Sequence, residues 1–510
     1  MSTEPPPPPA AETINLSLIS HTNAGKTTLV RTLLQQDVGE VRDAAHVTEV
    51  ATGYVMLQEG PHTLMLWDTP GFGDTARLVA RLRSSGNPIG WFLSQVWDRF
   101  RDRPLWSSQQ AVRNAREEAD IILYLVNASE DPAGAAYVSL EMEVLAWVGK
   151  PIVLLLNQTG PPREDGHAEE QRWTEHLAST GLVRGTLTLD AFARCWVQER
   201  TLLHAITPLL NEQQQQAMRG LIAAWTTRNL GRFRASMRAL ASQLAAVACD
   251  REEIGDRKWH DRVRGAVVNP SGSDASPEAK RAMGRLGERV DQAIRESTDR
   301  LIELHGLSGR AAQEVLKRMR DDYTEAGPAR EGVAAMLGGL LSGAAGGLAA
   351  DAAAGGLTLG AGMIVGGILG ALGAGSAAHG FNLVRGDDSN SVRWSEEFFV
   401  GLAQSALLRY LAVAHFGRGR GEWEEGEHPA HWQGAVAEEV AADRRAIHSV
   451  WSRARDTQPD AVMAPLEELL GRAAGRLLGR FYPEAADLFE PTDPLPHQPQ
   501  LQEEPQGVKG

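Results

Sequence analysis

Apolar positions in the first 160 residues fall into short runs separated by helical stretches. Residues 14–19 form a short apolar strand that passes through a turn into an amphipathic helix over residues 27–35. Further strands are predicted at 63–67, 121–126 and 151–156, with a helical stretch around 139–147 before the last. Strands that alternate with helices make an α/β domain, a mostly parallel sheet carrying helices on both faces. An insertion at about 76–119, between the second and third strands, has a helical pattern and holds Trp91, Trp97 and Trp106, which suggests a lid or docking surface.

From about Glu199 the strand signals fade and helical periodicity takes over, at 209–249, 277–323, 395–416, 431–455 and 460–480, so the C-terminal half is expected to be all-α. Residues 332–378 interrupt it with a Gly/Ala-rich apolar stretch in which Asp351 is the sole charge. The stretches on either side of Asp351, 332–350 and 352–378, are each long enough for a helix that inserts into a membrane. Glycines four apart, at Gly339, Gly343 and Gly347 and again at Gly362, Gly366 and Gly370, let two such helices touch closely in lipid. A hairpin turning at Asp351 leaves both ends, near Arg330 and Arg385, on the cytoplasmic side. Alanine and glycine give little transfer energy, and burial at the centre of a helical domain is the alternative. The expected division is a Pro-rich disordered lead at 1–13, the α/β domain at 14–198, a helical region at 199–331, the apolar hairpin at 332–378, further helices at 379–483 and a disordered tail at 484–510.

A chain of 510 residues suffices for two to four domains, and its formal net charge of −14 opposes a polyanionic partner such as nucleic acid. Cys195 and Cys249 are its only cysteines and form neither a metal-ligand pair nor a disulfide framework, which suits a reducing compartment. The lead carries Glu4 and the run Pro5 to Pro9 where a secretory signal has basic and apolar residues, so a cytoplasmic location is expected.

The chemistry begins between the first strand and its helix. Ser20-His21-Thr22-Asn23-Ala24-Gly25-Lys26-Thr27 fits the phosphate-loop pattern at every required position but the first, where Ser20 replaces glycine. Backbone NH groups of Asn23, Ala24 and Gly25, and of Lys26, Thr27 and Thr28 at the start of the helix, are placed to surround phosphates; Lys26 reaches the β and γ phosphates and Thr27 holds magnesium. Asp68-Thr69-Pro70-Gly71 ends an apolar strand, where the Asp68 carboxylate binds magnesium through water and Gly71 offers its NH to the γ phosphate. The loop 37–53 between them holds Thr48 and Thr52, of which Thr48 is the better placed to complete the magnesium shell with GTP bound.

These motifs resemble the TrmE, Era and EngA group of GTPases with a P-loop NTPase fold. The resemblance implies GTP and GDP as ligands, magnesium as cofactor, and a potassium ion held by Asn23 that assists hydrolysis when two G domains pair; a loop-shaping hydrogen bond is the alternative role for Asn23. Phe72 stands where Ras-type enzymes place a water-orienting glutamine, as is common in this group, and implies slow intrinsic turnover. Asn157-Gln158-Thr159-Gly160 stands where the group has Asn-Lys-x-Asp: Asn157 either bonds the base or braces the phosphate loop, Gln158 can cover the base, and Gly160 lacks the guanine-reading carboxylate. Asp190 is a candidate substitute acceptor. The Asn-Gln-Thr-Gly stretch, Leu189-Asp190-Ala191, Cys195-Trp196 and the glycine-rich hairpin also resemble a bacterial GTPase family with a C-terminal domain of unknown function numbered 3482.

The leading expectation is a GTP-hydrolysing switch that controls a helical domain at the cytoplasmic face of the inner membrane, through lipid or a membrane-protein partner. A soluble GTPase of ribosome or RNA assembly and a nucleotide-binding scaffold with little hydrolysis are the alternatives.

Overall fold

The structure, a computed structural model, describes residues 11–22, 24–35, 50–83, 88–94, 102–158, 168–189, 195–254, 277–307, 381–385, 390–415 and 430–489. The elements of the first domain are β1 (Thr13–Ser20), α1 (Lys26–Leu34), β2 (Thr52–Glu59), β3 (His62–Asp68), α2 (Thr75–Leu82), α3 (Pro88–Ser94), α4 (Arg103–Glu117), β4 (Ile121–Asn127), α5 (Ala136–Val148), β5 (Ile152–Asn157), α6 (Ala168–Leu177) and β6 (Val183–Thr188). They build a six-stranded sheet in the order β2-β3-β1-β4-β5-β6, parallel throughout except for the antiparallel β2 edge. Alternate residues of the central strands face opposite layers. Ile121, Leu123 and Leu125 of β4 point into one core, whereas Ile122, Tyr124 and Val126 point into the other with residues of α2 to α6.

The helical region supplies most of the first core. It comprises α7 (Trp196–Ile206), α8 (Glu212–Cys249), β7 (Arg251–Ile254), α9 (Pro277–Leu304), β8 (Phe381–Arg385), β9 (Asn390–Trp394), α10 (Glu396–Ala414), α11 (Ala430–Ala442), α12 (Arg444–Ala454) and α13 (Asp460–Phe481). The 38-residue α8 is its axis, capped by the Asn211 side chain accepting from the Gln214 NH. It packs on β2 and β3 as well as on α9 and α13, so the two regions share one apolar core.

Four details depart from the sequence expectation. The C-terminal half is helical but not all-α, because β7, β9 and β8 form a small antiparallel sheet. Its strands are four or five residues long and β7 pairs with β9 across a wide sequence gap, which leaves little local signal. Thr52 and Gly53, placed in a loop, open β2, and Thr52 lies opposite Asp68 in the ladder. In the described parts of 76–119, Leu78 of α2, Phe92 of α3 and Leu105 and Val112 of α4 are fully buried, so these helices contribute to the second core. Residues 484–489, expected to be disordered tail, are ordered: Pro483–Leu488 form a 3₁₀ turn, and the following Phe489 packs against Trp196 and Phe233. The hairpin at 332–378 lies outside the described residues.

Among the described residues, α10 is long and apolar enough to cross a membrane, but it is mostly buried as a core helix. Arg409 in its middle is buried and donates to the Ile294 carbonyl, Ser297 and Thr298.

Candidate nucleotide site

β1 ends at Ser20 and the chain turns directly into α1, whose first residue is Lys26. Gly25 makes that turn with φ of 90°, and a Cβ there would lie 2.7 Å from the Asn157 amide nitrogen, so glycine is required both by conformation and by space. The Asn157 amide donates to the Ala24 carbonyl at 3.0 Å from a fully buried position. Asn157 therefore braces the phosphate loop. Gln158 follows in a left-handed conformation and is exposed.

Lys26 and Thr27 take the places that the motif predicts. The Lys26 ammonium donates to Ser20 Oγ at 2.8 Å and to the His21 carbonyl at 3.4 Å, which gives the serine at the glycine position a role in holding the lysine. Burial pushes the Lys26 pKa down to about 8, against the opposing pull of Asp68 and Glu141. Thr27 Oγ1 donates to Asp68 Oδ2 at 2.7 Å, bringing two of the three residues expected at magnesium together from α1 and the end of β3. A hydroxyl and a carboxylate oxygen suit a hard cation that keeps several waters and shares its shell with phosphates. Magnesium is thus compatible with the residues present. Ala24 and Thr28 are buried beside the loop.

The segment after Asp68 is zipped to the phosphate loop. The Phe72 NH donates to the Ser20 carbonyl at 2.9 Å, and the Thr22 NH and hydroxyl donate to the Phe72 carbonyl at 3.2 and 2.7 Å. Gly71 lies so close that a Cβ would sit 2.8 Å from Thr22 Cα and 3.0 Å from Lys26 Nζ. Phe72 itself is fully buried in the second core, so its ring is unavailable to water.

A second layer was missed by sequence reasoning. Glu141 of α5 is fully buried and accepts from the Tyr124 hydroxyl at 2.6 Å and the Thr75 hydroxyl at 3.2 Å, and it pairs with His21 Nδ1 at 2.6 Å. One carboxylate thus joins the phosphate loop, the start of α2 and the sheet. The His21 ring rests on Tyr137, with centroids 4.4 Å apart. A signal existed: Glu141 stands among Val138, Met142 and Leu145 on the buried face of α5, where an acid needs a partner. Asn23, Thr48, Gly160 and Asp190 lie outside the described residues.

Residues 15–158 match the family described as 50S ribosome-binding GTPase, so the chain carries a P-loop GTPase domain. Residues 179–471, more than half of the chain, match the family described as domain of unknown function DUF3482. The chain belongs to the DUF3482 family. Comparison with curated proteins returns no match. Among solved structures this DUF3482 protein is similar to Era in complex with MgGDPNP and nucleotides 1506–1542 of 16S ribosomal RNA, with 17% identity, 40% of this chain and 58% of that one covered, and a TM-score of 0.30. It is also similar to a variant of Aquifex aeolicus Era bound to GDP.AlF4-, with 13% identity, coverage of 55% and 88%, and a TM-score of 0.28. Toc33 from Arabidopsis thaliana in complex with GDP and Mg2+ has 12% identity, coverage of 36% and 72%, and a TM-score of 0.23. The chain spans less than two thirds of the first of these structures, and similarity at this level transfers no residue roles.

Proposed function

We propose that this DUF3482 protein is a magnesium-dependent GTP-hydrolysing switch whose nucleotide state is relayed to its helical region, and that residues 332–378 attach it to the cytoplasmic face of the inner membrane. The reading rests above all on the contact between Thr27 and Asp68, which puts these two magnesium-binding residues beside the Lys26 ammonium. Lys26 offsets charge on the β and γ phosphates, and the backbone NH groups at the start of α1 hold their oxygens. Bound magnesium supplies further neutralisation of the phosphate charge. The buried Phe72 ring cannot orient water, so turnover is slow unless potassium at Asn23, a second G domain or a partner assists. Relay has a physical route: Asp68 ends β3, β3 pairs with β2, and α8 packs on both strands.

Phosphate release from the full chain, with GTP and with or without magnesium, tests the switch chemistry. Asp68→Asn is expected to weaken magnesium affinity about 10- to 100-fold, the order seen when a group that acts on the metal through a hydrogen-bonded water is removed. Turnover that ignores both magnesium and this substitution would refute the magnesium-dependent mechanism, and absence of phosphate release with GTP and magnesium would refute the GTPase reading. Replacing sodium by potassium is expected to raise the rate, and equal rates would remove potassium. Flotation with liposomes tests the membrane part separately: deletion of 332–378 is expected to abolish flotation, and a full chain that ignores liposomes in both nucleotide states would leave a soluble GTPase.

A further inference from the structure

The helical region holds a cationic cleft far from any role assigned above. The end of α8, β7, α9 and the 455–459 loop enclose about 880 Å3, lined by Arg251, Arg289 and Arg455 together with Asp250, Asp456 and Thr457. Its charges fall into two sets. Arg289 pairs with Asp250 at 2.9 Å and with Glu252 at 2.8 Å, and Arg285 adds a contact to Glu252 at 2.6 Å, so this set is internally neutral. Arg251 and Arg455 form the other set, and Arg393, which is not part of the lining, feels the charge of both.

Arg251 of β7 lies directly opposite Arg393 of β9 in the antiparallel ladder. Like charges at such positions repel and destabilise the pair. Arg393 is held toward the third arginine by a hydrogen bond from Nη1 to the Arg455 carbonyl at 2.9 Å, while its buried Nε finds no acceptor among the described residues. Burial, Arg251 and Arg455 all disfavour its charge, which Asp456 and Cys249 partly support. Arg251 and Arg455 are exposed and make no ion pair among the described residues. Two guanidinium groups without an ion pair among the described residues therefore stand at the cleft and repel the charge of Arg393, which Asp456 offsets only in part, an arrangement that costs the free protein stability and is relieved by an anion.

We propose that this cleft is a binding site for a phosphate-bearing ligand, with Arg251 and Arg455 as its recognising groups. Planar guanidinium forks suit phosphate oxygens, and two of them provide the paired hydrogen bonds that a single lysine cannot. The volume falls within the range of small-molecule sites, roughly 300–1,000 Å3, and exceeds the needs of a bare phosphate. The ligand is therefore a phosphate carried on a larger body, either a soluble phosphorylated molecule or a lipid headgroup. The headgroup is a natural source because the apolar stretch ends at Ala378, close in sequence to the Phe381 that opens β8.

The test uses the full chain saturated with GDP and magnesium, so that the phosphate loop is filled. Pyrophosphate is titrated calorimetrically, and cosedimentation is measured with phosphatidylglycerol–phosphatidylcholine vesicles against phosphatidylcholine alone. Arg251→Gln is expected to weaken at least one of the two interactions tenfold or more while raising the melting temperature of the ligand-free protein, because it removes the repelling partner of Arg393. Arg444→Gln, an exposed arginine on α12 outside the cleft, is expected to change neither. Loss confined to pyrophosphate assigns the site to soluble phosphates, and loss confined to anionic vesicles assigns it to headgroups. The proposal is overturned if neither probe depends on Arg251, if Arg444→Gln weakens binding equally, or if Arg251→Gln lowers the ligand-free melting temperature.

Discussion

Lys26 and Arg409 are both cations withdrawn from water, yet they serve the two regions of this protein in opposite ways. Lys26 is 7% exposed and bonds a hydroxyl and a carbonyl of its own loop, a set too small for an ammonium with three donors. Arg409 is 1% exposed and is engaged by Ser297, Thr298 and the Ile294 carbonyl of α9 and by Gln243 of α8. The first cation is stored where a ligand will complete its partners. The second is consumed in fastening α10 to α8 and α9. Burial of charge alone therefore does not mark a functional site; what marks it is whether the protein supplies the partners itself.

Removing each charge while keeping most of the side-chain volume separates the two roles. Lys26→Met is expected to weaken nucleotide binding on the order of 100- to 1,000-fold, since the charge-assisted bonds to phosphate disappear. Its melting temperature without nucleotide is not expected to fall, because burial already disfavours the ammonium. Arg409→Met is expected to do the reverse, costing about 3 kcal/mol of stability as several buried acceptors lose their shared donor. Nucleotide affinity should then be unchanged below the melting transition. Equal loss of binding and stability in both variants would erase the distinction.

A smaller effect of the same kind lies at the end of α10. Burial holds the His415 pKa down to about 4, against the Leu411 carbonyl that accepts from Nδ1, and the ring packs beside Trp432 and Tyr482. The imidazole is neutral in the folded protein, whereas in the unfolded chain it titrates near its ordinary value of about 6.5. Stability from the neutral form is complete above pH 6.5 and is lost as the unfolded chain takes up the proton below it. Roughly 2 kcal/mol should be gone by pH 5, with the remainder lost toward pH 4. His415→Phe should flatten this part of a denaturation profile. The acid loss should appear in the helical signal without a change in nucleotide affinity at pH 7.

The sequence made the nucleotide site legible because its determinants are local. The phosphate loop is eight consecutive residues, and β1, β4 and β5 are apolar runs buried on both faces. Within the six-stranded sheet the two strands without such a run, β2 and β6, are the edges. β2 carries an exposed Val55 and several half-buried residues, and β6 is half-buried along most of its length, so neither has the apolar signature of a central strand. The Arg251 and Arg393 pairing was hidden for another reason: it joins distant parts of the chain through two short, charged strands. Glu141 was the reverse case, a visible acid on an apolar helix face whose partners come from three separate elements.

The smallest expected effect also probes how the phosphate loop and α2 are joined. Thr75 is the first residue of α2, only four positions beyond Gly71, and its hydroxyl reaches both Glu141 and the Gly73 carbonyl. Thr75→Val preserves shape and deletes these bonds, at a cost of about 1 kcal/mol. Tyr124→Phe deletes another bond to the same carboxylate, but from β4 in the sheet. If Glu141 only stabilises the domain, both variants should lower the melting temperature and leave the ratio of GTP to GDP affinity alone. If it transmits the position of the Gly71 segment to His21, Thr75→Val should shift that ratio several-fold whereas Tyr124→Phe should not, because β4 has no reason to move with the γ phosphate. Competition between labelled GDP and a slowly hydrolysed GTP analogue reads the ratio directly. A ratio unchanged in both variants, beside a lowered melting temperature, would assign the carboxylate to stability alone.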